Sequence, residues 1–277
     1  FVLCINNLGS CYGSTGPTSV SPVTGKPYQA NFPEITIRDI VKHQQLLLDH
    51  LGIKGIELAI GGSMGGMVAL EFGLMDPRIQ SLALFAMGKS HTPWAIGISH
   101  AQRKAIYADE HWQDGFYDPK VPPQKGLSAA RALAMITYRS PQNYEHKFRR
   151  DFNRNKDQFE VESYLDHQGE KLSSRFDANT YITLTKAMDS HDVSRNRGSF
   201  REALGSLTIP CLILGIDSDL LYPIAEQQEL SELIPDSEIN QIHSDYGHDA
   251  FLIEFEQINK NLIPFYHSTK SLYEHHT

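Results

Sequence analysis

The chain has little cysteine, no long hydrophobic stretch and no cluster of basic residues. Its 277 residues include three cysteines, Cys4, Cys11 and Cys211. They are widely spaced and follow no metal-ligand pattern, so no disulfide framework and no metal site are expected, and a reducing cytoplasm is. No apolar run approaches the roughly 18 residues that mark a membrane span. The 25 Lys and Arg are outnumbered by 33 Asp and Glu, giving a net charge of −8, and the basic residues form no runs. Nucleic acid and anionic membranes are therefore excluded as partners. Internal repeats and low-complexity segments are missing too. So is a phosphate-cradling glycine loop, and the chain does not begin with Met.

What is present alternates between strand and helix patterns. Phe1 to Ile5 is a continuous apolar run and predicts a buried strand; residues 6–34, rich in Gly, Pro, Ser and Asn, predict a long loop. Thr36 with Asp39 can cap a helix whose apolar stripe is Ile37, Ile40, Val41 and Leu46 to Leu48. Strands are predicted at Ile56 to Ile60, Ile79 to Phe85, Cys211 to Ile216 and Glu238 to Ile242, with a closing amphipathic helix around Ala250 to Phe265. From about His91 to about Ser206 the segments are long, polar and helical, without a convincing strand. The expectation is an α/β core in two pieces, residues 1–90 and 207–277, with an α-helical lid at 91–206 inserted between them.

Gly61-Gly62-Ser63-Met64-Gly65 stands between the Ile56 to Ile60 run and the helical pattern Met67 to Phe72. A G-x-S-x-G placed after a strand and before a helix is a nucleophile elbow, whose sharp turn exposes the serine hydroxyl and aims the following amide, that of Met64, at an oxyanion. Small residues are needed because the backbones on either side approach closely. Ser63 then needs a base and an orienting acid, in the chain order Ser, Asp or Glu, His. Asp217-Ser218-Asp219 follows one late strand, and Ser244 to Asp249 follows the next. Both clusters lie past strand C-termini, where open α/β sheets build their sites. His248, beside Gly247, is assigned as base and Asp219 as orienter, with Asp217 the rival for that role. His43, His50, His100, His111, His146 and His167 read as solvated helix positions. His191-Asp192 precedes the late strands, and His267, His275 and His276 fall in or near a polar tail.

With these residues the chain resembles the homoserine O-acyltransferases, the acetyltransferase branch on the α/β-hydrolase fold. The matching blocks are Asn7-Leu8-Gly9, Gly13 to Pro17, Gly61 to Gly66, Gly126 to Arg131, Thr137 to Ser140, Asp219 to Pro223 and Tyr246 to Phe251. Val68 departs from the pattern, where the family often has Gln. The resemblance implies a Ser63 acyl-enzyme, acetyl-CoA as co-substrate with no bound cofactor, L-homoserine as acceptor, and a homodimer. It places Arg131 and Tyr138 at the acceptor carboxylate and Asp249 at its ammonium. The seven-residue spacing of Arg131 and Tyr138 is two helical turns, so both side chains can share a face. The family fold has further strands before the elbow strand, one of them bearing the loop with the second oxyanion donor, so N-terminal strands are expected to be missing here. Three readings stand: a homoserine O-acetyltransferase, a homoserine or serine O-succinyltransferase, and an α/β-hydrolase esterase or inactive fragment.

Overall fold

The computed structural model describes residues 1–274, and side chains up to 270; His275 and His276 lie outside the described residues. The elements in chain order are α1 (Ile37–His50), β1 (Ala59–Gly62), α2 (Met64–Met75), β2 (Leu82–Phe85), α3 (Pro93–Tyr107), α4 (Gln124–Thr137), α5 (Pro141–Phe148), β3 (Phe152–Asn153), β4 (Gln158–Phe159), α6 (Glu160–Ser173), α7 (Ala178–Asp189), α8 (Phe200–Gly205), β5 (Cys211–Ile216), α9 (Ile224–Leu233), β6 (Ser237–Ile242) and α10 (Phe255–Glu274). A 3-10 helix, Gly247–Leu252, precedes α10. Among the described residues no helix is long and apolar enough to cross a membrane.

The chain forms two compact units. One comprises Ile37–Thr92, Tyr138–Ser140 and residues from His191 on. Its sheet is four-stranded in the order β1-β2-β5-β6, and all three pairings are parallel. Every residue of β2 and β5 is buried, which is why both read as unbroken apolar runs: a parallel strand covered on both faces has no polar side. Ala83, Phe85, Leu212, Leu214 and Ile216 pack with Ile242, Ala250, Ile258 and Phe265. On α2 the whole stretch Gly66–Phe72 is buried. At Gly73 an added Cβ would lie 2.8 Å from Leu82 Cδ1.

The second unit comprises Phe1–Thr36, Pro93–Thr137 and Pro141–Ser190. It is helical apart from the short antiparallel pair β3–β4, which the polar character of this stretch did not foretell. Ile106, Tyr117, Leu127, Ala130, Leu172, Ala178 and Ile182 form its core.

Three further observations differ from the sequence-based expectation. Phe1–Ile5 forms no strand, and Phe1 and Val2 are 102% and 96% exposed. An apolar run becomes a strand only where another strand supplies its hydrogen bonds, and none does so here. Residues 1–36 pack with the helical unit rather than the core: Gln29 Nε2 donates to Tyr117 O at 2.7 Å and Tyr12 Oη to Arg175 O at 2.5 Å. Residues 191–206 pack with the sheet, where a buried ion cluster holds them. Glu71, 1% exposed, receives Arg38 Nε at 3.0 Å and Arg197 Nη2 at 2.7 Å. Arg38 also donates to the carbonyls of Arg195 and Asp192 at 2.6 and 3.0 Å. A carboxylate this buried is tolerated because both its oxygens are paired.

His191 anchors the start of the same segment. It is 2% exposed, and its Nε2 lies 3.1 Å from Gly88 O. A carbonyl only accepts, so Nε2 carries the proton and Nδ1, buried without a partner, does not. Burial pushes the imidazole down from 6.5 to about 4, against the raising effects of the Gly88 hydrogen bond, Glu71 and Asp192. The fold therefore holds neutral His191, whereas the unfolded chain takes up a proton below about 6.5. This contribution is present above that pH and is lost as the pH falls toward 4, for a total of about 3 kcal/mol. Urea unfolding at about pH 7 and about pH 4.5 should show a smaller loss in His191→Gln than in the parent chain. Equal losses would mean that His191 does not take up its proton on unfolding.

Candidate active site

Ser63 joins β1 to α2 with φ 53° and ψ −126°, a backbone conformation that costs a non-glycine residue of order 1–3 kcal/mol and persists only where the surroundings impose it. They do. Ser63 N donates to Phe85 O at 2.9 Å, and Ser63 O accepts from the amides of Gly66 and Met67 at 2.9 and 3.1 Å. At Gly61 a Cβ would fall 2.2 Å from Gly65 O, so strand and helix cross with no room for a side chain. Met64 opens α2, where the first amides have no intrahelical acceptor and the helix dipole is positive. That is a donor suited to an oxyanion.

The acid and base come from the two strands on the far side of β2. Asp219 follows β5, and its Oδ1 accepts from the amides of Leu221 and Tyr222 at 2.8 and 2.9 Å. Its Oδ2 lies 2.7 Å from His248 Nδ1. The two residues are 4% and 3% exposed. A carboxylate facing Nδ1 fixes the proton there and leaves Nε2 as the basic nitrogen. The rival Asp217 is engaged elsewhere: Oδ2 is 2.9 Å from His243 Nδ1 and Oδ1 accepts from Ser244 N at 3.1 Å. Burial works to raise its carboxyl, but the Ser244 amide and His243 outweigh it and hold it below the usual carboxylate range.

Three aromatic rings enclose the His248 imidazole: Tyr222, Phe251 and Tyr138, with centroids 5.4, 5.5 and 5.7 Å away. Phe251 also connects the base to the elbow, since a Cβ on Gly62 would lie 2.6 Å from its ring. Ser63 Oγ and His248 are not hydrogen-bonded to each other in this structure; such bonds often form fully only when substrate is bound. Behind the pair, the Tyr222 hydroxyl is hydrogen-bonded to His91 Nδ1 at 2.9 Å. Glu226, on the first turn of α9, is pushed up to about 7 by burial and then by the charge of Asp219, with Lys89 opposing.

Of the residues expected at the acceptor, Tyr138 and Asp249 lie beside His248. Asp249 N donates to Tyr138 O at 3.1 Å. Helix α4 ends at Thr137, so Tyr138 sits in the turn beyond it and does not share a helix face with Arg131, contrary to the spacing argument. Arg131 is half-buried on α4, in the helical unit. The Asp249 carboxylate forms an ion pair with Arg139, Nη2 to Oδ2 3.1 Å. Sequence reasoning missed Arg139, Tyr222 and Glu226 as parts of this site. Arg139 adjoins Tyr138 and Tyr222 lies three residues after Asp219, both within blocks named above, whereas Glu226 had no local signal.

Residues 1–255 match the family described as alpha/beta hydrolase fold. A homoserine O-acetyltransferase of Chlorobium chlorochromatii is 54% identical over 268 residues, 95% of this chain and 75% of that protein. Another, from Chlorobaculum tepidum, is 55% identical over 267 residues, 96% of this chain and 74% of the relative. Among solved structures, homoserine O-acetyltransferase from Bacillus anthracis is similar with a TM-score of 0.86 at 24% identity, over 91% of this chain and 71% of that one. Esterase E22 is similar with a TM-score of 0.85 at 24% identity, over 94% and 76%. At such identity the solved structures speak for the fold alone.

The two aspartates separate by substitution. Asp219→Asn replaces an acceptor facing Nδ1–H with an amide that favours the wrong imidazole tautomer, an exchange worth up to about 10⁴ in kcat for a triad acid. Asp217→Asn disturbs contacts with His243 and the Ser244 amide, away from His248, and should cost little. Steady-state kcat of the two variants decides between them; the reverse order would move the acid to Asp217.

Proposed function

Because the chain belongs to the homoserine O-acetyltransferase family, on the α/β-hydrolase fold, we propose that it moves an acetyl group from acetyl-CoA to the side-chain hydroxyl of L-homoserine through an ester on Ser63. The observation that carries this reading is the buried Asp219–His248 pair, 2.7 Å apart, joined through Phe251 to a strained serine elbow.

In the first half-reaction Ser63 Oγ attacks the thioester carbonyl as His248 Nε2 takes its proton. The oxyanion forms against the Met64 amide. The carbon–sulfur bond breaks, the thiolate of CoA leaves with the proton from His248, and the acetyl group stays on Ser63. In the second half His248 deprotonates the homoserine hydroxyl, which attacks the Ser63 ester, and the proton returns to Ser63 Oγ. Asp219 keeps the imidazole in the required tautomer and supports the imidazolium at each stage.

In this reading Arg131 and Tyr138 receive the acceptor carboxylate and Asp249 its ammonium. A charge-assisted hydrogen bond of that kind contributes about 1.5–3 kcal/mol. An esterase needs no such clamp. The product belongs to methionine synthesis, acetyl-CoA is a substrate rather than a resident cofactor, and the protein works in the cytoplasm as a homodimer. A cytoplasmic setting is supported by three widely spaced cysteines that form no disulfide framework.

The test offers acetyl-CoA or succinyl-CoA with L-homoserine or L-serine, and reads thiol release and product mass. O-acetyl-L-homoserine is the expected product, and Ser63→Ala should lower kcat by at least ~10⁴. A succinylated product or a serine ester would replace the donor or acceptor named here. Hydrolysis without transfer would make the protein an esterase.

A further inference from the structure

We infer that Arg139 is a positioning residue for acceptor recognition: by holding the Asp249 carboxylate, it sets how the acceptor's ammonium is read. This rests on the role proposed for Asp249 and extends it to a side chain that does not itself touch the reacting atoms.

The geometry is a clasp. The short stretch Tyr138–Ser140 packs with the sheet unit although helices of the other unit flank it on both sides. It grips the loop that carries His248 at two points: Ser140 Oγ donates to Asp245 O at 2.5 Å, and Asp249 N donates to Tyr138 O at 3.1 Å. Between them, Gly247 has φ +65°, and a Cβ there would lie 2.7 Å from the Arg139 carbonyl carbon. The loop backbone can press against Arg139 only because position 247 lacks a side chain. Over this contact the Arg139 guanidinium reaches Asp249 Oδ2 at 3.1 Å and lies 5.6 Å from the Tyr246 ring centroid.

A planar guanidinium resting on an aromatic face with one nitrogen turned to a carboxylate is restricted in orientation, which a lysine ammonium is not. The Arg139 and Asp249 side chains are 19% and 18% exposed, so the pair is sheltered enough to keep its geometry while remaining open to a ligand. Asp249 follows His248 directly in sequence. The orientation of its carboxylate therefore determines whether an ammonium bound there leaves the acceptor hydroxyl in reach of the base.

The experiment compares L-homoserine with its deamino analogue 4-hydroxybutyrate as acceptors, in the parent enzyme, Arg139→Gln and Arg139→Lys. In Arg139→Gln the preference for homoserine, as a ratio of kcat/KM values, should fall at least about tenfold, mainly through KM; tenfold corresponds to about 1.4 kcal/mol. Arg139→Lys should recover part of it and serves if the glutamine variant does not fold. On an Asp249→Asn background Arg139→Gln should change the preference little further, the non-additivity expected of a coupled pair. A purely structural role would lower kcat/KM for both acceptors alike and would overturn the inference, as would an unchanged preference. If the parent enzyme showed no preference for homoserine over 4-hydroxybutyrate, the role of Asp249 would fall, and this inference with it.

Discussion

The crossing of β1 and α2 at Gly61 and Gly65 is the constraint on which the site depends. With a Cβ at Gly61 only 2.2 Å from the Gly65 carbonyl oxygen, any larger residue would push strand and helix apart. Their close approach forces the connecting residue into its left-handed conformation, and that residue is the serine. The strain is balanced by the surrounding packing: α2 is buried on all sides over Gly66–Phe72, and β2 supplies the carbonyl of Phe85 to the Ser63 amide. Placing a strained serine at the end of β1 thus requires the packing of α2 and β2 behind it.

The acid–base half obeys a different economy, that of saturated polar groups. Asp219 is nearly inaccessible, so each carboxylate oxygen needs a donor, and two loop amides and His248 provide them. The turn after β5 folds back to present those amides, and the next loop must bring an imidazole to the remaining oxygen. Asp217, two residues earlier, is more exposed and satisfied by His243 and a single loop amide. Burial and the number of donors distinguish the two aspartates, although both lie in the same three-residue stretch.

Much of this was legible in the sequence because it is local. Cys211–Ile216 is a strand over the residues its apolar run indicated, and the Glu238–Ile242 strand differs by one residue at its start. The serine turn follows from glycine spacing and context. What was not legible depends on distant pairs. Nothing in periodicity links Glu71 to Arg38 and Arg197, so the assignment of residues 191–206 to the sheet unit could not be read. The same holds for Gln29 with Tyr117, and for Arg139 with Asp249. Phe1–Ile5 misled for a related reason. An apolar run indicates a capacity for pairing, whereas a strand requires a neighbour.

Glu226 carries a consequence for the charge of the molecule near neutrality. Gly88 makes room for it, since a Cβ there would stand 2.3 Å from Glu226 Oε2, and that oxygen is buried without a hydrogen-bond partner. Burial and the charge of Asp219 push its carboxyl up to about 7, so it holds its proton to higher pH than an ordinary carboxyl. The aspartate that orients His248 thus also opposes a second negative charge behind the site, and Lys89 works against it from the other side.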